Sequence, residues 1–243
     1  MEKLEAIEKS ICHWMENLSH LKAGNTDIDI YMESCPLCKY SAIRKGYMNE
    51  DEKIYFVREM CKTCPLGQYT GKYCGDHGEQ YWRPISVLYN EYMEYNDNES
   101  DKKEKELIFK AMIYRVYKMI FILYKIYFSE KLYKTKEELY SKYKNMKFIK
   151  ESIDHWENNL ELLYLNYTYD RKIQRGRIVK PVTEDNIRLG TEFLNSVYHD
   201  NVYSYYKNIS DLIITDKKKY ITIEMIISIC EMVMALYKHL WRL

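Results

Sequence analysis

Five of the chain's seven cysteines lie between positions 35 and 74, in a spacing that suits metal coordination. Cys35-Pro36-Leu37-Cys38 is followed by Cys61-Lys62-Thr63-Cys64-Pro65, and then by Gly71-Lys72-Tyr73-Cys74. Two residues between cysteines let a tight turn aim both sulfurs at one point. Two such turns complete a tetrahedron of thiolates at about 2.3 Å from zinc. Pro36 and Pro65 stiffen the turns, and Gly67, Gly71 and Gly75 supply conformational freedom beside them. The pattern predicts zinc held by Cys35, Cys38, Cys61 and Cys64, with Cys74 as a substitute ligand. A closed four-thiolate shell leaves no open coordination position, so such a site would fasten a fold and perform no reaction.

A second constellation is polar and repeats. Residues 7–21 align with residues 149–163 at an offset of 142, sharing Ile7/Ile149, Ser10/Ser152, Ile11/Ile153, His13/His155, Trp14/Trp156, Asn17/Asn159, Leu18/Leu160 and Leu21/Leu163. The apolar matches need mean only that two helices show the same stripe to a core. The serine, histidine and asparagine matches form a polar row beside that stripe. One reading has each histidine and the asparagine four residues on bonded to each other or to nearby backbone. The other makes His13, Asn17, His155 and Asn159 the lining of a ligand pocket. A basic run at 171–177, with Arg171, Lys172, Arg175 and Arg177, is ordinarily a solvated loop and otherwise a phosphate contact.

Motifs of catalysis are absent from the sequence. There is no P-loop, G-x-G-x-x-G, H-E-x-x-H or G-x-S-x-G, and no H-x-E lies upstream of the cysteine pairs, where a deaminase has it; His77-Gly78-Glu79 follows both pairs. An open catalytic zinc would need one cysteine displaced and Cys74 or His77 recruited. The expectation is a protein without enzymatic activity.

The elements that must position these residues read mostly as helices. From Lys3 to Lys22, Leu4, Ile7, Ile11, Trp14, Leu18 and Leu21 step by three and four, and Gly24-Asn25 ends the helix. Thr26 to Glu33 is a short acidic connection, and Pro84 admits a helix from about Ile85 to Tyr95. Residues 106–128 are nearly all apolar, yet Lys110, Arg115, Lys118 and Lys125 fall within one arc of about 140°, so the stretch reads as a core helix and not a membrane span. Thr135 with Glu138 forms a capping box for a helix reaching about Tyr167. The last helix starts near Thr222, with Glu224, Glu231 and Lys238 as one polar stripe. Cys12 and Cys230 stand alone in helical patterns and read as small buried apolar residues. The predicted fold is mainly α, a helical-bundle body with a small cysteine-rich, zinc-stabilised module inserted after the first helix. Residues 1–95 would hold the first helix and the module, 96–105 a linker without an apolar residue, and 106–243 the bundle with the second histidine-tryptophan helix.

With 37 Lys and Arg against 36 Asp and Glu, the 243-residue chain has no long-range field to gather phosphates over its whole surface. Its 26 tyrosines suit half-buried helix faces or a sticky binding surface. Met1-Glu2-Lys3-Leu4-Glu5 leads straight into an amphipathic pattern with no secretory leader, and the metal-type cysteine spacing fits a reducing cytoplasm.

The order of His13-Trp14-x-x-Asn17, C-P-L-C at 35–38, C-x-x-C-P-L at 61–66 and G-x-x-C at 71–74 resembles a loose group of bacteriophage proteins over residues 7–84. That group carries no activity to transfer. The resemblance implies a viral or prophage origin, a host cytoplasm as the site of action, and a role of the kind compact phage proteins often have, inhibition of host defence. The expected function is therefore a non-catalytic zinc protein, zinc-finger-like in its module, that binds and blocks a host protein or ribonucleoprotein in the manner of an anti-CRISPR. The alternative is a nucleic-acid binder. Arg44, Lys45, Lys53, Arg58, Lys62, Lys72 and Arg83 interleave with Tyr40, Tyr47, Tyr55, Tyr69 and Tyr73, although acidic neighbours nearly cancel their charge. A further alternative is a sponge for a signalling nucleotide, using the 171–177 run.

Overall fold

The structure is a computed structural model that describes residues 1–31, 34–45, 61–72, 74, 81–95, 102–134, 149–150, 152–154, 156–157, 160 and 223–242. The described residues are mainly α-helical and include no strand. The helices are α1 (Lys3–Lys22), α2 (Pro36–Lys45), α3 (Pro65–Thr70), α4 (Trp82–Glu94), α5 (Lys102–Lys134) and α6 (Ile223–Arg242), and the backbone described between 149 and 160 is helical too. None of these helices is long and apolar enough to cross a membrane. The chain divides into two compact units, Met1–Lys136 and Glu137–Leu243.

In the first unit α1 begins where the Glu2 amide donates to the Glu5 carboxylate at 3.2 Å and the Ala6 amide to the Glu2 carbonyl at 3.0 Å. It ends as its glycine foretells. Gly24 has φ +79°, its amide reaches the Leu21 carbonyl at 2.9 Å, and the Asn25 amide returns to the His20 carbonyl at 2.9 Å. Those two bonds satisfy carbonyls that a helix end otherwise leaves open. Ile7, Ile11, Trp14, Leu18 and Leu21 are all buried, as their spacing requires.

Helix α5 is the post of this unit, with α1, α3 and α4 packed on it and α2 packed on α1. From Ile108 to Phe128 its buried residues are interrupted only by Phe109, Lys110, Arg115, Lys118 and Lys125, each half-buried. The charged arc therefore lies where 3.6-residue periodicity puts it. Lys3 meets Glu130 at 2.6 Å and the Tyr124 hydroxyl meets the Met15 sulfur at 3.7 Å, which fixes the register of α1 against α5. On the other flank Tyr92 of α4 lies 5.6 Å from Phe109, with the Lys105 ammonium 5.0 Å from the Tyr92 ring.

Three local expectations change. Helix α5 starts at Lys102, so part of the polar 96–105 stretch is helix, and the chain divides between Lys136 and Glu137. The reason is packing, because α1 and α4 both spend their apolar faces on α5 and bind it into the N-terminal unit. Helix α4 starts at Trp82, ahead of Pro84, which sits in a first turn whose amides need no intrahelical partner. Cys12 is exposed and not buried, since its neighbour Ile11 takes the core-facing position and the next residue points 100° away. Cys230 is fully buried in α6.

In the second unit Ile149, Ser152, Ile153, Trp156 and Leu160 are buried, as are Ile223, Ile226, Ile229, Met232, Val233, Leu236, Tyr237 and Leu240 of α6. Glu224 and Lys238 are exposed and Glu231 is half-buried, so the seven-residue polar stripe faces outward. The Tyr237 hydroxyl donates to the Glu157 carboxylate.

Candidate metal centre

Both cysteine pairs are built into helix starts and not into free-standing turns. Pro36 opens α2, where its missing amide costs nothing, and the Lys39 amide donates to the Cys35 carbonyl at 3.1 Å. Cys35 thus caps the helix and Cys38 sits three residues on, over the same side of the first turn. Leu37, Tyr40 and Ser41 form the buried face of α2, with the Ser41 hydroxyl returned to the Leu37 carbonyl at 2.9 Å. At the second pair, residues 61–63 make one helical turn, the Cys64 amide donates to the Cys61 carbonyl at 3.3 Å, and Cys64 caps α3 with Pro65 behind it.

Glycine has two distinct uses here. Gly71 ends α3 at φ +69°, with its amide on the Gly67 carbonyl at 2.9 Å. Gly67 is needed for proximity, since a Cβ there would lie 2.3 Å from the Cys61 carbonyl oxygen. Its missing side chain lets the Cys61 turn lie against α3.

Cys74 closes the segment. Its carbonyl accepts the Arg83 amide at 3.2 Å, which ties it to the start of α4, and the neighbouring Trp82 indole donates to the Ile30 carbonyl at 2.6 Å. Four of the five thiols then pair. Cys35 and Cys38 share a hydrogen bond, as do Cys61 and Cys74. The bond from Cys38 brings the Cys35 thiol down to about 7 against the opposing effect of burial, and the same bond, with burial behind it, pushes Cys38 well up. Burial raises Cys64 to about 11, and Cys74 is raised by its bond to Cys61 and then by burial. Negative charge on Cys35, Cys64 and Cys74 would be felt at Cys38, and charge on Cys35 and Cys61 at Cys64. All four predicted ligands and the substitute therefore belong to one electrostatically connected cluster. Among the described residues, no group of three or more His, Cys, Asp or Glu side chains is drawn into metal-holding geometry. The donor type suits zinc, because soft thiols repelling one another as thiolates are what a divalent ion neutralises.

The polar row on α1 has a structural job. Asn17 is 4% exposed and grips the backbone of Asp29 from both sides, its Nδ2 donating to the carbonyl at 2.8 Å and its Oδ1 accepting the amide at 2.9 Å. His13 Nε2 lies 3.4 Å from the same Nδ2, and the imidazole stands edge-on to Trp14 with centroids 5.5 Å apart. His20 Nδ1 meets the Asp27 carbonyl at 2.8 Å. These bonds pin the connection that leads into Cys35, and the Trp82–Ile30 bond holds its far side. Reading the sequence missed Asp29 and Trp82; the available signal was an asparagine inside an apolar stripe, which must find partners when buried. His155, Asn159, Arg171, Lys172, Arg175, Arg177 and His77 lie outside the described residues, as does the Thr135–Glu138 capping box.

No protein-family model matches the chain, and neither a curated protein nor a solved structure matches it.

Proposed function

We propose that the chain is a non-catalytic binding protein whose first unit is fastened by a zinc ion on its cysteine segment. The observation that carries this reading is that thiols from three separated stretches of chain, the start of α2, the turn before α3 and residue 74, lie near enough to shift one another's ionisation. Thiols at such density are hard to account for by packing, because burying them raises the cost of every ionised one, whereas a bound divalent ion turns the same crowding into coordination. Cys35, Cys38, Cys61 and Cys64 would supply the ligands, with Cys74 as a substitute. The ion would hold α2 and α3 in place through Pro36 and Pro65, and the module would present its outer surface to a partner. The resemblance to phage proteins makes that partner a host protein or ribonucleoprotein, blocked in the host cytoplasm within a nucleic-acid-directed defence system.

Metal analysis of the purified chain, with release by a mercurial thiol reagent, tests the first half. The expected result is about one zinc per chain; less than half an equivalent, or an iron chromophore, overturns it. Capture from a susceptible host lysate tests the second half and should give one stoichiometric protein partner. Salt-sensitive retention on nucleic acid without such a partner would transfer the module to nucleic-acid binding, since phosphate contacts weaken steeply with salt.

A further inference from the structure

The likeness between residues 7–21 and 149–163 extends to a second pair of helices. At an offset of 113, α5 and α6 share Met112/Met225, Ile113/Ile226, Met119/Met232, Leu123/Leu236, Tyr124/Tyr237 and Lys125/Lys238, with Val116/Ile229 and Ile120/Val233 as conservative matches. Burial follows the same register. Ile113, Val116, Met119, Ile120, Leu123 and Tyr124 are buried, and so are their six counterparts in α6. Two apolar helices could agree that far by chance of composition. The contacts go further. Position 15 of the first unit corresponds to position 157 of the second, and Tyr124 to Tyr237, by offsets taken from sequence alone. In the first unit the Tyr124 hydroxyl donates to Met15, and in the second the Tyr237 hydroxyl donates to Glu157. The same tyrosine of the same Leu-Tyr-Lys triplet falls on the same position of the tryptophan helix, one residue after Trp14 or Trp156. Helix packing alone does not select one position out of fifteen twice.

We infer that the two units are copies of one helix-pair module, registered by this tyrosine socket. The stretch between the paired helices is then the exchangeable part of each copy. In the first copy it carries the five clustered cysteines, and in the second, residues 164–222, it carries none. The helix pair is the frame that both copies share. This does not rest on the metal reading.

The test is to transplant the socket of the second copy into the first. In the full-length chain Met15→Glu gives position 15 the carboxylate that position 157 has, and hydrogen exchange is followed over α5 with and without Tyr124→Phe. A hydrogen bond to a charged acceptor appears as a roughly tenfold change. Loss of the hydroxyl should therefore speed exchange in α5 about tenfold in the Met15→Glu background and about twofold or less beside native Met15. If Met15→Glu exchanges equally fast with tyrosine or phenylalanine at 124, position 15 is not the counterpart of 157 and the inference falls. Should Met15→Glu open the first unit outright, Met15→Gln offers a neutral acceptor. There the expected coupling is about threefold, and its absence is equally decisive.

Discussion

The first unit and the second place a tryptophan helix under the same apolar stripe, but they satisfy the polar residues beside it differently. In the first, Ser10 donates to the Ala6 carbonyl at 2.8 Å and Asn17 clasps Asp29, so the row is tied off locally and holds the approach to the cysteines. In the second, the buried Ser152 hydroxyl has no hydrogen-bond partner among the described residues, and the charged Glu157 receives Tyr237 where the first unit has Met15. Shared residues on the stripe thus make the frame, and departures from it show where each unit has specialised. The first has become an anchor for a segment whose helices are too short to stand alone. Helix α3 has six residues and α2 has ten, both under the length at which isolated helices persist.

The largest expected effect tests that asymmetry. Chelation, or release of metal by a thiol reagent, should strip hydrogen-exchange protection from α2 and α3 while α6 keeps its own. Structural zinc contributes apparent binding free energies of about 10 kcal/mol or more in small modules, beyond anything side-chain contacts over these two helices can replace. Equal loss in α6, or no change in α2 and α3, would break the proposed contrast between a metal-fastened unit and one held by packing.

A smaller effect belongs to Gly67→Ala. The added methyl would meet the Cys61 carbonyl oxygen at 2.3 Å, and a backbone atom cannot swing aside as a flexible side chain does. The cost should be about 1–3 kcal/mol, confined to the first unit. It should be read as faster zinc release with no change in the protection of α6. Wild-type release kinetics in the variant would mean that Cys61 need not lie against α3 for the site to hold.

How much of this was legible follows the range of the interactions. The stripes of α1, α5 and α6 and their end signals depend on neighbours three or four residues away, and Gly24, the charged arc of α5 and the start of α6 near residue 222 could all be read directly. The cysteine spacing picked out five residues whose thiols influence one another's ionisation. It could not show that Cys61 pairs with Cys74, because that contact is made by the return of the chain into α4. It also suggested tight turns where there are helix starts, since proline after cysteine serves equally as a turn residue and as the first residue of a helix. The division at Lys136–Glu137 was hidden for a related reason. A polar stretch such as 96–105 looks like a boundary, but whether it separates units is decided by which helices pack on α5.

The smallest effect concerns the socket tyrosine of the first unit and has a definite sign. Burial raises the Tyr124 phenol to about 12, with charge on Cys12 adding to it, and raises Tyr127 to about 12 with help from its bond to Glu8. A phenol that holds its proton more tightly when folded contributes stability that is fully present below the ordinary value of 10 and is lost as pH climbs through the folded value. Against Tyr124→Phe, which has nothing to ionise, the native chain should therefore keep a constant stability difference up to about pH 10 and lose ground from there toward 12. Taking the difference between the two chains at each pH removes the lysines, which titrate in the same window in both. Urea midpoints read on helical circular dichroism supply the measurement. A difference that stays flat through that window would mean Tyr124 ionises in the folded chain as easily as in the unfolded one. The hydroxyl would then be open to water instead of seated on Met15, and the register of α1 against α5 would have to rest on Lys3 and Glu130, a half-exposed pair worth about 1 kcal/mol at most.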